Sequence, residues 1–281
     1  MIYVLFNPLS NNSCGKQDAE NWAKRLTTEV TFKSIIDLDI KALLKSAKES
    51  DEVVLCGGDG TLHCFFNIVY GVNCKCKLSY AKCGTGNDFY RDASKYEHEG
   101  RVDLKPYLKY LPLVKVNGLE RRFHNNVSYG VDGETNAIGN EIRKKKPGVK
   151  INYAKIAIGL MLAKFKPKVA EVEVDGVKST FKHVWMATTM FGPTVGGGMI
   201  AAPDQDRLNA KHECDLVVLS SAGRIRSLLR FPSFIKGKHR NKKFITHLKG
   251  KHIKVAFSTP CALHIDGEAV LNVRSYEVIN E

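Results

Sequence analysis

The sequence predicts a two-domain protein of the α/β plus β class, and three observations support this fold class. At 281 residues, the chain is long enough for about two domains. Its first hundred residues alternate short apolar strands with amphipathic helices, which is typical of a layered α/β domain with a mostly parallel sheet. From about Asn125 the pattern changes to closely spaced strands with a hairpin signal at Asp175-Gly176, which indicates an antiparallel β domain. We therefore predict domains at residues 1–120 and 121–281.

The elements of the first domain follow from hydrophobic periodicity. Thr61–Tyr70 is predicted to be a helix because its apolar residues recur at helical spacing. Two more helices are expected at Asp18–Thr28 and Asp39–Lys48, and strands at Ile2–Phe6, Phe32–Ile36, Glu52–Cys56 and Lys77–Ala81.

The second domain is predicted to be mainly β, with one helix at Asn152–Phe165. The patterns of apolar residues indicate strands at Val169–Val174, Ser179–Met186, Leu216–Leu219, Ile253–Phe257, Ala262–Ile265 and Tyr276–Ile279.

Composition argues for a soluble, cytoplasmic globular protein. The chain is 43% hydrophobic and 26% charged, which excludes a disordered or fibrous protein. The short apolar run at the N-terminus has no preceding basic residue and reads as a strand, and the stretch Ile151–Phe165 is too short to cross a bilayer. Eight irregularly spaced cysteines with no CxxC favour reduced thiols, and we assign no metal to them.

The segment 224–254 is strongly basic. The chain has 43 Lys and Arg against 29 Asp and Glu, and this segment contains eleven of the basic residues and no acidic one. Such a run is compatible with a solvated face, an anionic membrane or a nucleic acid. Because Phe231, Phe234 and Ile235 lie among the charges, we expect an anionic membrane surface as the partner and no nucleic acid.

Two glycine-rich loops follow predicted strands. GGDGT at 57–61 and GTGNDF at 84–89 both lead into helices, where free N–H groups and the helix dipole attract phosphate. Asp59 and Asp88 would repel phosphate unless a cation lies between them, so the pattern favours a nucleotide with Mg²⁺. For the first loop alone, a tight turn with Asp59 capping its own helix is the structural alternative. The chain contains neither a Walker P-loop nor a GxGxxG fingerprint.

With these motifs in place, the sequence resembles the diacylglycerol kinase catalytic domain family of lipid kinases, which includes bacterial diacylglycerol kinases and the sphingosine and ceramide kinases. The matching segments are NPLS at 7–10, GGDGT at 57–61, GTGNDF at 84–89, YGVDG at 129–133, GGGM at 196–199 with the following AAPDQD, and DGE at 266–268.

The resemblance implies a nucleotide-binding α/β domain, a β-sandwich lipid-substrate domain, an active site in the cleft between them, and ATP with Mg²⁺ as cofactors. It implies that Asp266 is the general base toward a lipid hydroxyl and that Glu268 belongs to the catalytic site. The implied nucleotide-binding residues are Asn7, Pro8, Ser10, Gly57, Gly58, Asp59, Gly60, Thr61, Gly84, Thr85, Gly86 and Asn87. The implied magnesium ligands are Asp59, Asp88, Asp132 and Glu268, with Asp215 as a further candidate.

Several of these motifs have structural alternatives. Asp266-Gly267 and Asp132-Gly133 also read as hairpin turns, and Gly196–Gly198 as a flexible loop. Where many relatives carry DGxLD, this chain reads AKHECDLVVL, and only Asp215 matches.

The predicted function is a peripheral membrane enzyme that phosphorylates a lipid, with diacylglycerol as the first candidate. A soluble-substrate kinase of the NAD kinase type and a non-catalytic nucleotide- or lipid-binding protein are the alternatives. The sequence leaves a homodimer open.

Overall fold

The computed structural model describes residues 1–83, 87–146, 149, 151–221, 223–240 and 242–281, without the side chains of Asn12 and Phe234. The chain divides into two compact units, Met1–Tyr110 and Leu111–Glu281. The sequence-based boundary after residue 120 lies inside a hairpin of the second unit, Leu113–Arg122, whose first strand pairs with the last strand of the chain. Among the described residues, no helix combines the length and apolar character needed to span a membrane.

The first unit is a five-stranded α/β sheet. In chain order its elements are β1 (Ile2–Phe6), α1 (Ser10–Ser13), α2 (Gly15–Ala23), β2 (Val30–Ser34), α3 (Ile40–Ser46), β3 (Glu52–Gly57), α4 (Asp59–Val69), β4 (Lys77–Lys82), α5 (Asp88–Ala93), β5 (Val102–Asp103) and α6 (Lys105–Lys109). The strand order is β2-β1-β3-β4-β5, in which only the β4–β5 pairing is antiparallel. The predicted mostly parallel sheet is confirmed. Every residue of β3 is buried, as expected for a central strand of such a sheet.

The second unit is an antiparallel β domain with three helices among the described residues. Its elements are β6 (Leu113–Val116), β7 (Leu119–Arg122), β8 (Asn126–Gly130), α7 (Val131–Lys145), α8 (Tyr153–Gly159), β9 (Lys168–Val174), β10 (Val177–Met190), β11 (Thr194–Val195), β12 (Met199–Ile200), β13 (Cys214–Ser220), α9 (Arg224–Ile235), β14 (Ile245–Gly250), β15 (His252–Ile265) and β16 (Glu268–Ile279). A π-helical turn at Leu160–Lys164 continues α8, so the predicted helix at 152–165 is present but changes its winding.

Two long strands organise this β domain. One half of β10 pairs with β9 and the other half with β8, and β15 divides its pairing between the same two strands. The change of partner in each strand coincides with a register shift. In β15 the shift contains Pro260, which cannot donate to a ladder and suits an interruption of this kind.

Helix α7 was not predicted, because its glycines and its polar composition hide it. Gly133 and Gly139 are required by packing: a Cβ at Gly133 would lie 2.1 Å from the carbonyl oxygen of Ala262, and one at Gly139 would lie 2.4 Å from the Tyr153 ring. Asp132 and Gly133 therefore belong to the first turn of a helix, and the hairpin interpretation of this pair is wrong.

The three glycines Gly196–Gly198 form the turn between β11 and β12. All three have positive φ angles, of 64°, 84° and 118°. A left-handed backbone at three successive residues explains why the turn is built from glycine.

Candidate functional site

The loop after β1 is folded around the backbone of Asn7. The carbonyl oxygen of Asn7 accepts hydrogen bonds from the N–H of Ser10 at 3.0 Å and from its hydroxyl at 2.8 Å, while the Asn7 side chain accepts from the N–H of Leu9. Gly15 must lack a side chain, because a Cβ there would lie 1.9 Å from the same carbonyl oxygen. Asn7, Pro8 and Ser10 thus form one compact turn at the carboxyl end of β1.

The carboxylate of Asp59 connects the two glycine loops. Asp59 is the first residue of α4, directly after the N-cap residue Gly58. Its two oxygens accept the N–H groups of Asp88 at 2.8 Å and Phe89 at 3.1 Å, at the start of α5. The N-cap position of α4 thus belongs to Gly58 and not to Asp59, and the Asp59 carboxylate holds the start of α5 beside the start of α4.

The Tyr80 hydroxyl contacts a residue on each side of this connection. This fully buried residue of β4 places its hydroxyl 2.8 Å from the carbonyl oxygen of Gly57 and 3.1 Å from the side-chain oxygen of Asn87. Burial raises the pKa of Tyr80 well above its ordinary value, with the nearby Asp59 carboxylate adding to the shift, so the hydroxyl keeps its proton. Asn87 has a left-handed backbone with φ of 54°.

Most of the other predicted nucleotide- and magnesium-binding residues of the first unit lie near these loops. Gly58 precedes α4 as its cap residue, and Gly60 and Thr61 lie in the first turn of that helix. The buried side chain of Asp88 lies 3.8 Å from the Arg91 guanidinium. Gly84, Thr85 and Gly86 lie outside the described residues. The carboxylate oxygens of Asp59 and Asp88 are the kind of ligand that Mg²⁺ prefers.

In the second unit, Asp266 is fixed by backbone donors. It sits with Gly267 in the turn between β15 and β16, and its carboxylate accepts the N–H groups of His124 at 2.8 Å and of Asn125 and Asn126 at 2.9 Å each. Nδ1 of His124 lies 2.8 Å from the same carboxylate. The Asp266 side chain is 0% exposed, so these donors fix it inside the turn. The turn interpretation of Asp266-Gly267 is confirmed, and the role of Asp266 as a general base stays a prediction.

A buried arginine supports the loop that holds Asp266. Arg207 is 1% exposed, and its guanidinium donates to the Asn125 side-chain oxygen at 2.7 Å. Gly192 makes room for it, because a Cβ there would lie 2.1 Å from the guanidinium.

Asp132 is connected to the Asp266 turn through a histidine. Nε2 of His264 lies 2.9 Å from the Asp132 carboxylate, and Nδ1 accepts the N–H of Gly267 at 3.2 Å. Burial disfavours the charged form of Asp132, but the interaction with His264 and a hydrogen bond from Ser128 outweigh it and hold the pKa of Asp132 below its ordinary value. Asp132 is thus a carboxylate that helps to fix the turn.

Glu268 and Asp215 have other surroundings. Glu268 is half-exposed at the start of β16, 3.9 Å from the Arg121 guanidinium. Asp215 is buried in β13, and its carboxylate lies 2.8 Å from Nδ1 of His247, whose ring stacks on His239. The neighbour of Asp215 is an imidazole nitrogen, whereas Mg²⁺ prefers oxygen.

The sequence interpretation missed Tyr80, His124, Arg207 and His264. His264 lies two residues before Asp266, but it acts on Asp132, which is 132 residues away in sequence. Most partners of these four residues are distant in sequence, and motif analysis does not detect such pairs.

Comparisons with known proteins identify the family of this chain. Residues 1–109 match the diacylglycerol kinase catalytic domain, and residues 125–277 match the YegS C-terminal NAD kinase beta sandwich-like domain. The chain is 24% identical over 271 residues to a diacylglycerol kinase of Mycobacterium tuberculosis, covering 90% of this chain and 84% of that protein. It is 25% identical over 231 residues to a Bacillus subtilis diacylglycerol kinase, covering 79% and 72%.

A solved structure has the same fold. The crystal structure of a diacylglycerol kinase from Bacillus anthracis aligns with a TM-score of 0.64 at 19% identity, over 99% of this chain and 94% of that chain. Together, the two domain matches cover most of the sequence in the expected order. The chain therefore belongs to the family that joins a diacylglycerol kinase catalytic domain to a YegS-type C-terminal domain.

Proposed function

We propose that this protein transfers the γ-phosphate of ATP to a lipid hydroxyl, with diacylglycerol as the first candidate substrate. The observation that carries the proposal is the connection of the two glycine loops by Asp59 and Tyr80. It holds two helix starts side by side at the carboxyl edge of a parallel sheet, where such folds bind phosphate.

The second unit supplies a proton acceptor for this chemistry. The lipid hydroxyl oxygen forms a bond to the γ-phosphorus, the bond between that phosphorus and the β,γ-bridging oxygen breaks, and ADP leaves. The proton of the hydroxyl passes to the Asp266 carboxylate, which hydrogen bonds from the backbone of residues 124–126 hold in one orientation. Mg²⁺, when bound by carboxylates such as Asp59 and Asp88, would neutralise phosphate charge.

The apolar–basic surface, defined as Ile158, Leu162, Ile225, Leu229 and Arg226, supports a lipid substrate at a membrane. The four apolar side chains are 41%, 54%, 73% and 76% exposed. Ile158 and Leu162 belong to α8 and its π-helical continuation, and Ile225 and Leu229 belong to α9. The two residues of each pair are four positions apart, which places them on one face of their helix.

The two helical segments are neighbours in space. Arg224 donates to the carbonyl oxygen of Met161 at 2.8 Å, and the residues that follow these two are Ile225 and Leu162. Exposed apolar side chains among basic residues fit an anionic bilayer better than water. We propose that this surface and the other basic residues of segment 224–254 hold the enzyme at the membrane.

The test is phosphate transfer from labelled ATP, with Mg²⁺, into mixed micelles containing diacylglycerol. We expect labelled phosphatidic acid from the native protein and none from Asp266→Asn. A parallel reaction with NAD⁺ tests a soluble acceptor. Labelling of NAD⁺ alone, or of neither acceptor while ATP still binds, would contradict the proposal.

Membrane binding is tested with vesicles. Leu229→Glu and the double change Lys242→Glu/Lys243→Glu should each weaken sedimentation with anionic vesicles about tenfold or more, because each basic residue near such a surface contributes ~1 kcal/mol. The effect of the lysines should fade at high salt, whereas the part of the Leu229→Glu effect that comes from the lost apolar contact should remain. Val177→Glu is the matched control, since Val177 is 70% exposed but lies in a hairpin of β10. Unchanged binding of both variants would mean that this surface is only solvated.

A further inference from the structure

Two cysteines lie in contact beside the glycine loops. Cys56 is the penultimate residue of β3 and Cys83 directly follows β4. Both residues belong to the buried cluster that packs against Trp22 of α2, and their thiols lie close enough for each to shift the pKa of the other. The N–H of Cys83 also donates to the carbonyl oxygen of Gly57 at 2.9 Å, so the backbone ties the two positions together.

The two thiols have different environments. Cys83 is 9% exposed and lines a surface cavity of about 460 Å³ together with Asp18, Arg25 and Lys82, whereas Cys56 is 1% exposed. The neighbouring Cys56 thiol and Arg25 lower the pKa of Cys83 against the effects of burial and of Asp18. The neighbouring Cys83 thiol, followed by burial, raises the pKa of Cys56 well above its ordinary value. A thiol near cationic side chains that a small molecule can reach has the features of a reactive cysteine.

We propose that Cys83 and Cys56 form a peroxide-sensitive thiol pair that closes to a disulfide. The Cys83 thiolate attacks a peroxide oxygen, the O–O bond breaks, and hydroxide leaves, which gives a sulfenic acid on Cys83. The Cys56 sulfur then attacks the Cys83 sulfur, the S–O bond breaks, and the hydroxyl leaves with the Cys56 proton as water. Two thiols are oxidised by two electrons, and one hydrogen peroxide is reduced to two waters overall.

The disulfide would act on the nucleotide loops, and this part of the proposal rests on the proposed function. The bond shortens the separation of the sulfur atoms from a non-bonded distance to about 2 Å. That movement draws the carboxyl ends of β3 and β4 together. Gly57 adjoins Cys56, and Tyr80 and Asp59 connect this end of the sheet to Asn87 and Asp88. Because displacements of about 1 Å in such a site can cost up to ~10²-fold in rate, we expect oxidation to weaken ATP binding about tenfold or more.

The experiment treats the full-length protein with a stoichiometric excess of hydrogen peroxide, blocks the remaining thiols, and maps disulfides by peptide mass spectrometry. We expect a Cys56–Cys83 linked peptide that dithiothreitol removes. Cys83→Ser and Cys56→Ser should abolish it, and Cys83→Ser should also remove trapping of a sulfenic acid. Cys74→Ser is the matched control, because Cys74 and Cys76 are a second pair of neighbouring cysteines in the same unit. This variant should still give the Cys56–Cys83 linked peptide.

Calorimetry of ATP binding to the reduced and the oxidised protein tests whether the disulfide weakens nucleotide binding. A linked peptide with lowered ATP affinity supports the whole proposal. A linked peptide with unchanged affinity overturns the regulatory role, and the absence of that peptide overturns the thiol pair itself. If the reduced protein binds no ATP, the proposed function fails, while the mass spectrum still decides on the thiol pair.

Discussion

Two Asp-Gly turns of the second unit can be compared directly: Asp175-Gly176 between β9 and β10, and Asp266-Gly267 between β15 and β16. The first lies beside the start of β15 and the second follows its end. Asp175 and Asp266 have φ angles of 47° and 48°, and the glycines that follow them have 85° and 95°. Both carboxylates accept backbone N–H groups: Asp175 from Lys251 and His252, and Asp266 from residues 124–126.

The difference lies in what surrounds each turn. The Asp266 turn is tied to α7, because Asn140 donates to the carbonyl oxygen of Gly267 and His264 joins Gly267 to Asp132. The partners of Asp175 belong to the start of β15. Equal local sequence therefore gives equal turns, and only the tertiary surroundings distinguish the two carboxylates.

The largest expected contrast is in catalysis. Asp266→Asn should lower kcat by ~10² or more, because the amide cannot accept the substrate proton. Asp175→Asn should leave kcat near the native value. Both should lose about 1–3 kcal/mol of unfolding free energy, since each removes charged acceptors from backbone donors. Steady-state kinetics and urea unfolding of the two variants check this, and equal kcat values would remove Asp266 from its proposed role.

A second contrast concerns the histidines near the two ends of β15. His264→Ala should cost about 1–3 kcal/mol in unfolding free energy, because it removes a largely buried imidazole from the Asp132 carboxylate, whose side chain is 20% exposed. His252 pairs with Glu277 in a partly exposed position, so His252→Ala should cost at most about 1 kcal/mol. Urea unfolding at neutral pH measures both. A cost for His252→Ala equal to that for His264→Ala would show that burial does not separate the pairs.

The turn glycines provide a finer test. Gly267→Ala and Gly176→Ala should each cost about 1–2 kcal/mol, because both force an alanine to adopt a positive φ. Neither new methyl group meets an atom closer than 3.9 Å, so packing adds little. Only Gly267→Ala should also reduce kcat, because it displaces Asp266. Thermal unfolding and kinetics measure the two effects, and a loss of activity in both variants would contradict the assignment.

The smallest expected effect is a pH dependence. The pKa of Asp132 in the folded protein lies below its ordinary value of 3.8, so its contribution to stability is complete above about pH 4. The contribution is lost as the pH falls from 3.8 through the folded pKa. The stability difference between the native protein and Asp132→Asn should therefore shrink in acid. Unfolding free energies measured between pH 3 and pH 6 check this, and a constant difference would exclude a lowered pKa.

The sequence predicted the parts of the molecule whose causes are local. β1, β3 and β4 contain the predicted strands, and both Asp-Gly pairs at the ends of β15 form turns. Helix α7 escaped detection because glycine is unfavourable in a helix, and Gly133 is needed only for close packing against the backbone of β15. The cap that Asp59 supplies to α5 was equally hidden, since the two elements meet only after the sheet has formed.

The division of β10 and β15 between two partner strands bears on how this unit is synthesised and folded. β8 is made well before the C-terminal half of β15, with which part of its pairing is formed. Pairings between strands so distant in sequence form slowly. During that interval the edge of β8 is open to other chains, and such edges promote aggregation. We therefore expect this half of the protein to depend on chaperones during synthesis more than the first unit, whose parallel strands are complete once β4 has been made.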